Sequence, residues 1–486
     1  MMIEKIKTSN NLLQYGIICL FIFLTQFSYI QHEVIDWDES TYLLISKYVS
    51  EGSLLYVDYW EAKPPVYFIY MGVVFKIFGS SLLVGRLAGD VLLLFSTVLI
   101  FKILKNYYSK SISLSGSLFL IYLFSYEASQ PTMTEHVGIF FIVLSTYIVL
   151  RDKQYINFFW LGTLFSLAFN SRNNLAFACL GIFIFLFIEN YLDLKKIYKL
   201  ALGFITPIFV ISLYFIYHKS LSNYVYMLWE FPLQSTDSYR MNINEFRTAF
   251  LNKLNLEETL SIELIIFIIL FATVAYFFKN ISKLRETDLN ILSILILFFL
   301  TVSIIFGGRL FNHYLIQLFP FIALLFASGI NIVKNIKYLK TVTLLLTVLI
   351  NINLLFLGFN NILNYEEINS NYELKNISKF ISNEGIEGRD ILVLENHLIY
   401  LYNDSIVPFK VVHPSNLPNT TRFSEILISL GNLGITFQDE FKLFVENQPE
   451  YIFCEDYCYS HITIDFYEKY YTLVFSNNNY KIFKRI

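Results

Sequence analysis

Asp36, Asp38 and Glu39 crowd into four consecutive positions of the stretch VIDWDESTYLLISKYVSEG, and Glu61 and Lys63 follow in WEAKPPVYFIYMG. A general base that takes a proton from an acceptor hydroxyl has to be an ionised carboxylate facing a partly dry cleft, and Asp38 is the candidate. Its neighbours Asp36 and Glu39 then tune it, bind a divalent cation, or face water. The plainer alternative is that Asp38 caps a helix carrying Tyr42, Ile45 and Val49 at helical spacing. Pro65 suits the first turn of a second helix, whose free N–H groups and positive dipole end, with Lys63 beside them, form a place for a phosphate. A snorkelling lysine ahead of a proline turn is the structural alternative. Arg172 in NSRNNLAF and Arg309 in GGRLFNHYLIQLFP add positive charge or serve as interfacial anchors.

These residues suit one reaction in particular. A sugar carried on a lipid phosphate leaves behind an anion that needs no proton. Such an enzyme requires cations to hold the phosphate and a base for the nucleophile, with little call for a general acid.

The elements that must position these groups belong to a membrane. Hydrophobic residues make up 55% of the 486, charged residues only 15%, and mean hydropathy is positive. Apolar runs near the length needed to cross a bilayer, about 20 residues, recur along the chain. We place them at 12–30, 82–103, 112–126, 137–150, 156–169, 175–188, 200–217, 261–278, 289–306, 310–333 and 342–359, about eleven spans. The first is followed by no small-residue cleavage pattern and is expected to stay as an anchor. Lys and Arg gather on alternate connections (Lys102, Lys105 and Lys110; Arg151 and Lys153; Lys195, Lys196 and Lys199; Lys279, Lys283 and Arg285; Lys334, Lys337 and Lys340). The positive-inside rule then puts the amino terminus in the cytoplasm and the acidic first loop, 31–81, outside. Arg172 and Arg309 stand out because they fall on the intervening loops. A net charge of −3 offers nothing to nucleic acid.

From about residue 360 the composition becomes that of a soluble domain. DILVLE (390–395) and EYIFCE (450–455) read as short buried strands, and the final YTLVFSNNNYKIFKRI as a hairpin turning at 477–479. The reading is therefore a polytopic α-helical membrane domain over 1–359 and a small extracytoplasmic α/β domain over 360–486, without a Gly-rich phosphate loop. Cys454 and Cys458 are the one pair placed to form a local disulfide. Arg86 and Asp90, four apart within a span, read as a helix ion pair. His136 and His313 lack a second ligand at metal spacing.

The ordered set Asp38-Glu39-Tyr42, Lys63-Pro64-Pro65-Tyr67, Phe78-Gly79 with Arg86, Glu135 in MTEH, and Arg309, His313, Tyr314 and Pro320 resembles the GT-C superfamily of integral membrane glycosyltransferases. Within it, the likeness is to the bacterial relatives of protein O-mannosyltransferases and of the lipid A aminoarabinose transferase. It covers roughly 35–325. The resemblance implies a hexosyl- or pentosyltransferase using a polyprenyl-phosphate sugar at the outer face of a bacterial cytoplasmic membrane, usually with inversion. It makes Asp38 the catalytic aspartate, with Glu39 beside it. Glu135 falls at a second acidic position where Asp is more usual. Lys63 becomes the lysine on the lipid phosphate, and Arg309 and Tyr314 fall where donor-phosphate contacts are expected; Arg172 joins them only through its charge at the outer membrane face. Metal use is left open, with no cofactor certain and a divalent cation allowed. The acceptor is a lipid, a glycan or a protein. The competing class is a transporter or flippase of a lipid-linked saccharide, which would place its ionisable groups near the bilayer midplane and show related halves.

Overall fold

The structure is a computed structural model. It describes residues 11–125, 129–151, 155–238, 287–307, 312–332, 345, 347–349, 351–383, 391–405, 407–416, 430–434, 437–455, 458, 462, 464–476 and 479–486. The span expected at 261–278, the Asn477–Asn478 part of the hairpin turn and Arg309 lie outside the described residues.

The chain folds mainly into helices: α1 (Leu12–Gln26), α2 (Trp37–Glu51), α3 (Val66–Phe78), α4 (Leu82–Tyr107), α5 (Lys110–Phe124), α6 (Glu135–Arg151), α7 (Phe158–Phe169), α8 (Ala176–Ile188) and α9 (Leu194–Tyr217). Further helices include Thr287–Phe306, Phe319–Ile332 and Ile352–Leu363. Among the described residues, five apolar stretches have the length to cross a bilayer, namely Leu12–Gln31, Leu82–Tyr107, Leu194–Tyr217, Asp288–Phe306 and His313–Asn331. Five more apolar helices are shorter. The runs expected from sequence, about eleven and several of them short, are thus represented among the described residues by helices of mixed length. At 1.5 Å per residue α3 reaches only about 20 Å, short of a core about 30 Å thick. This is a multi-pass membrane protein whose apolar helices differ in length.

Local sequence explains the ends that matter. Asp36 caps α2, its Oδ1 accepting from the Asp38 N–H at 3.2 Å, and Gly52 ends that helix with φ of 105°, a left-handed value suited to glycine. The cap is therefore Asp36, which leaves the Asp38 side chain for other contacts. Pro65 precedes Val66 as the cap residue of α3, and the Val66 N–H donates to the Asn170 carbonyl at 2.9 Å, tying the start of α3 to the end of α7. Gly89 of α4 lies so close to Pro131 that a Cβ there would overlap its carbonyl, and this contact seats the segment leading into α6.

Arg86 departs from expectation. It pairs with Glu39 of α2, Nε to Oε1 at 2.9 Å and Nη2 to Oε2 at 2.7 Å, and also donates to the carbonyls of Tyr29, His32 and Glu33. Asp90, one helical turn along α4, makes no such pair among the described residues, where its buried Oδ1 has no hydrogen-bond partner. The i,i+4 spacing was right for a pair, but a carboxylate from another element can meet the guanidinium with two parallel bonds.

The terminal domain holds a four-stranded sheet in the order β1-β2-β4-β3, from Ile391–Val393, Tyr451–Cys454, Tyr471–Ser476 and Lys481–Arg485 numbered in chain order. β1 runs parallel to β2, and β3 and β4 are the expected hairpin. Cys454 and Cys458 are disulfide-bonded. This domain is strapped onto the first loop. Glu33 accepts from the N–H groups of Leu374 and Lys375 at 2.9 Å each, at the start of helix Glu373–Asn383. Tyr48 bridges Ser405 and Val407, and Lys47 meets Asp404 at 2.6 Å. The Trp60 N–H donates to the Lys410 carbonyl at 2.8 Å in a bridge with Val411.

Candidate active site

Asp38 lies in the first turn of α2, and its Oδ1 accepts a hydrogen bond of 2.7 Å from Nε2 of His413, which the terminal domain brings across 375 positions of sequence. Burial pushes the Asp38 carboxyl up, but the His413 hydrogen bond and the charges of His413 and Lys63 outweigh it and hold the group well below the ordinary carboxylate range. Asp36 moves the opposite way, raised by burial and by the Asp38 charge. The carboxylate at position 38 is thus kept as an anion while its neighbour is made easier to protonate.

Four residues on from Asp38, Tyr42 lies on the same face of α2, and the Lys63 ammonium sits 6.0 Å from its ring centroid. The Tyr42 hydroxyl is buried with no hydrogen-bond partner among the described residues. Lys63 is held by its backbone: its carbonyl accepts from the Tyr56 hydroxyl at 2.7 Å and its N–H donates to Glu61 Oε1 at 3.1 Å. Burial raises the Glu61 carboxyl, against the lowering effect of the Lys63 charge.

The other predicted residues form two fixed units. Glu135, the first residue of α6, is fully buried and pairs with Arg172 at 2.9 Å. Arg172 also donates to the Thr134 hydroxyl at 3.0 Å and lies 4.8 Å from the Tyr314 ring centroid. Glu39 is committed to Arg86 and to the Thr132 hydroxyl at 3.0 Å. Asp38, Lys63, Glu135, Arg172 and Tyr314 are therefore gathered at one end of the bundle, with Glu39 turned into the packing behind them. His136 is buried against the Ser129 and Gln130 carbonyls, a structural setting.

Asp36, Asp38 and His313 each bring a ligand atom within 4.8 Å of the others, a donor set of two carboxylates and an imidazole that suits a divalent cation. Sequence reasoning missed His413. A lone histidine in VVHPSN, far from the first loop in sequence, carries no periodic signal; the break in polarity after FKVV is the only mark it leaves.

Residues 62–216 match the family model of dolichyl-phosphate-mannose-protein mannosyltransferases. Over the whole chain, the structure resembles ArnT from Cupriavidus metallidurans bound to undecaprenyl phosphate, with a TM-score of 0.59, 12% identity and 98% of each chain covered. Its apo state matches equally well, at 0.59 and 13% identity. The chain has the GT-C glycosyltransferase fold. The oligosaccharyltransferase of Archaeoglobus fulgidus in its apo form is more distant, with a TM-score of 0.50 and 12% identity over 96% of this chain and 73% of that one. No curated protein matches the chain. The family match takes in Lys63, Glu135 and Arg172 but ends before His413, so the part of the chain that meets Asp38 from the terminal domain lies beyond it.

Proposed function

We propose that the protein transfers a sugar from a polyprenyl-phosphate donor to an acceptor hydroxyl at the outer face of the cytoplasmic membrane. The observation that carries this reading is the shared setting of Asp38, Tyr42 and Lys63: an anion held for proton transfer beside an ammonium and a buried, unpartnered phenol. The ArnT relative is bound to undecaprenyl phosphate, which supports a lipid-linked donor here. The disulfide in the terminal domain supports an extracytoplasmic position, since such bonds persist in oxidising compartments.

In this reading the Lys63 ammonium and the Tyr42 hydroxyl grip the donor phosphate. The bond from the anomeric carbon to the phosphate oxygen breaks, the electron pair stays on the phosphate, and no proton is required there. The acceptor oxygen bonds to the anomeric carbon, and Asp38 takes its proton. A carboxylate held far down is a weak base, so the transfer occurs late, once the attacking oxygen has become strongly acidic. His413 fixes the direction of the carboxylate while this happens. The Glu135–Arg172 pair and Tyr314 shape the wall opposite.

Asp38→Asn should reduce transfer by about 10²–10⁴-fold, the typical cost of removing a positioned general base, while undecaprenyl phosphate binding to the purified protein stays within about twofold. Lys63→Ala should instead weaken that binding about tenfold or more, as loss of a charged hydrogen bond does. Normal turnover by the Asp38 variant, or unchanged affinity in the Lys63 variant, refutes the respective role.

A further inference from the structure

A cleft opens between the first loop and the terminal domain, lined by Val34, Ile35, Asp36, Trp37, Asn396, Glu455 and Tyr480. Nothing in the donor chemistry uses it, yet it begins one carboxylate away from the base: Asp36 is part of its wall and brings an oxygen within 4.8 Å of Asp38. Besides the Trp37 indole and the Tyr480 hydroxyl, its polar side chains are acceptors. Asp36 and Glu455 present carboxylates, and Asn396, 3% exposed, has an Oδ1 with no hydrogen-bond partner among the described residues, its amide nitrogen being spent on Glu455 Oε2 at 2.7 Å. A wall rich in hydrogen-bond acceptors requires a ligand rich in donors.

The strongest charges around it are acidic. Glu455, Glu373, Glu33 and Glu395 are the charged groups that act most strongly on Tyr480. Lys63 and Arg172 are not among the residues that line it. An anionic ligand would meet like charge in this cleft. Hydroxyls would meet carboxylate and amide oxygens, and the apolar face of a sugar ring would meet Trp37. The walls are also stiff: Tyr480 stacks on Phe453 at 5.3 Å, the Glu455 N–H is held by Glu395, and the Cys454–Cys458 disulfide closes the turn that carries Glu455.

We propose that this cleft is the acceptor subsite, and that it takes a hydroxyl-rich saccharide whose modified residue is uncharged or cationic, not a phosphorylated one. This rests on the glycosyl-transfer reading above. It gives the terminal domain a function: that domain supplies one wall of the acceptor site as well as the histidine that orients the base.

The test uses a strain lacking the protein, complemented with the full-length chain or its variants, with envelope glycans read by mass spectrometry and undecaprenyl phosphate binding measured on each purified variant. Glu455→Gln combined with Asn396→Ala should lower the transferred sugar at least tenfold while undecaprenyl phosphate affinity and the unfolding midpoint stay those of the wild type. Glu455→Gln alone, which keeps shape and removes charge, should give an intermediate loss. The glycan residue that carries the sugar should bear no phosphate. Full transfer by the double variant beside an inactive Asp38→Asn overturns the subsite alone, as does a phosphorylated acceptor residue. Envelope glycans unchanged by deletion overturn the transfer reading, and this proposal with it.

Discussion

Replacing Arg86 by methionine removes the guanidinium that Glu39 faces from inside the bundle, and the structure fixes how large the effect should be. The Glu39 and Arg86 side chains are 1% and 5% exposed, so neither can turn to water when its partner is lost. The Glu39 carboxylate would keep one hydrogen bond, from Thr132, and the carbonyls of Tyr29 and His32 would lose donors at 3.1 and 2.9 Å. Breaking a buried pair on one side costs about 3–5 kcal/mol, because the surviving charge stays buried and uncompensated. Replacing both residues with apolar ones of similar volume, Glu39→Leu with Arg86→Met, removes both desolvation penalties and should recover most of that loss. A double-mutant cycle on unfolding in detergent should therefore give a coupling of at least about 2 kcal/mol. A coupling under about 0.5 kcal/mol would refute the scaffold role of this pair, since that is the scatter expected of independent sites. So would a Glu39→Gln variant that unfolds like the wild type yet has lost transfer, which would return Glu39 to the chemistry.

Two further outcomes follow from the geometry. Because His413 helps hold the Asp38 carboxyl low, the protein keeps an anion there, and the stability this contributes is present above the free value near 3.9 and lost as pH falls through the lowered one. His413→Gln should raise the pH at which activity is lost on the acid side, and an acid limb unmoved by the substitution would remove His413 from the site. Gly89→Ala should force the Pro131 segment aside and displace Thr132 and Glu135; a variant with wild-type stability and turnover would show that this contact does not position them.

Much of the site could be read in the sequence because its signals are local. Pro65 announces a helix start, and the Lys63 beside it follows from three residues of chain. Apolar runs interrupted by Arg172 or Glu135 identify charges whose burial demands a partner. What the sequence could not tell is which partner. Arg86 had Asp90 at the right helical spacing, and it went instead to Glu39, 47 positions away, because α2 and α4 meet where Leu43 lies against Gly85. His413 illustrates the same limit over a longer distance: its role depends on Glu33, Tyr48 and Trp60 docking the terminal domain, contacts for which no periodicity exists.

The cations of the site differ in what they are free to do, and that difference can be tested at Glu135. Arg172 is neutralised by Glu135 at 2.9 Å inside the protein, while Lys63 has no carboxylate within ion-pair distance among the described residues. If Lys63 alone grips the donor phosphate, then Glu135→Gln, which preserves shape but releases the Arg172 charge, places a second uncompensated cation near it. Undecaprenyl phosphate should then bind severalfold more tightly, and turnover should fall because the leaving phosphate is released more slowly. Glu135→Gln with unchanged affinity and abolished turnover would point the other way. The carboxylate would then act on the reacting atoms themselves, and the Arg172 pairing would be the means of aiming it.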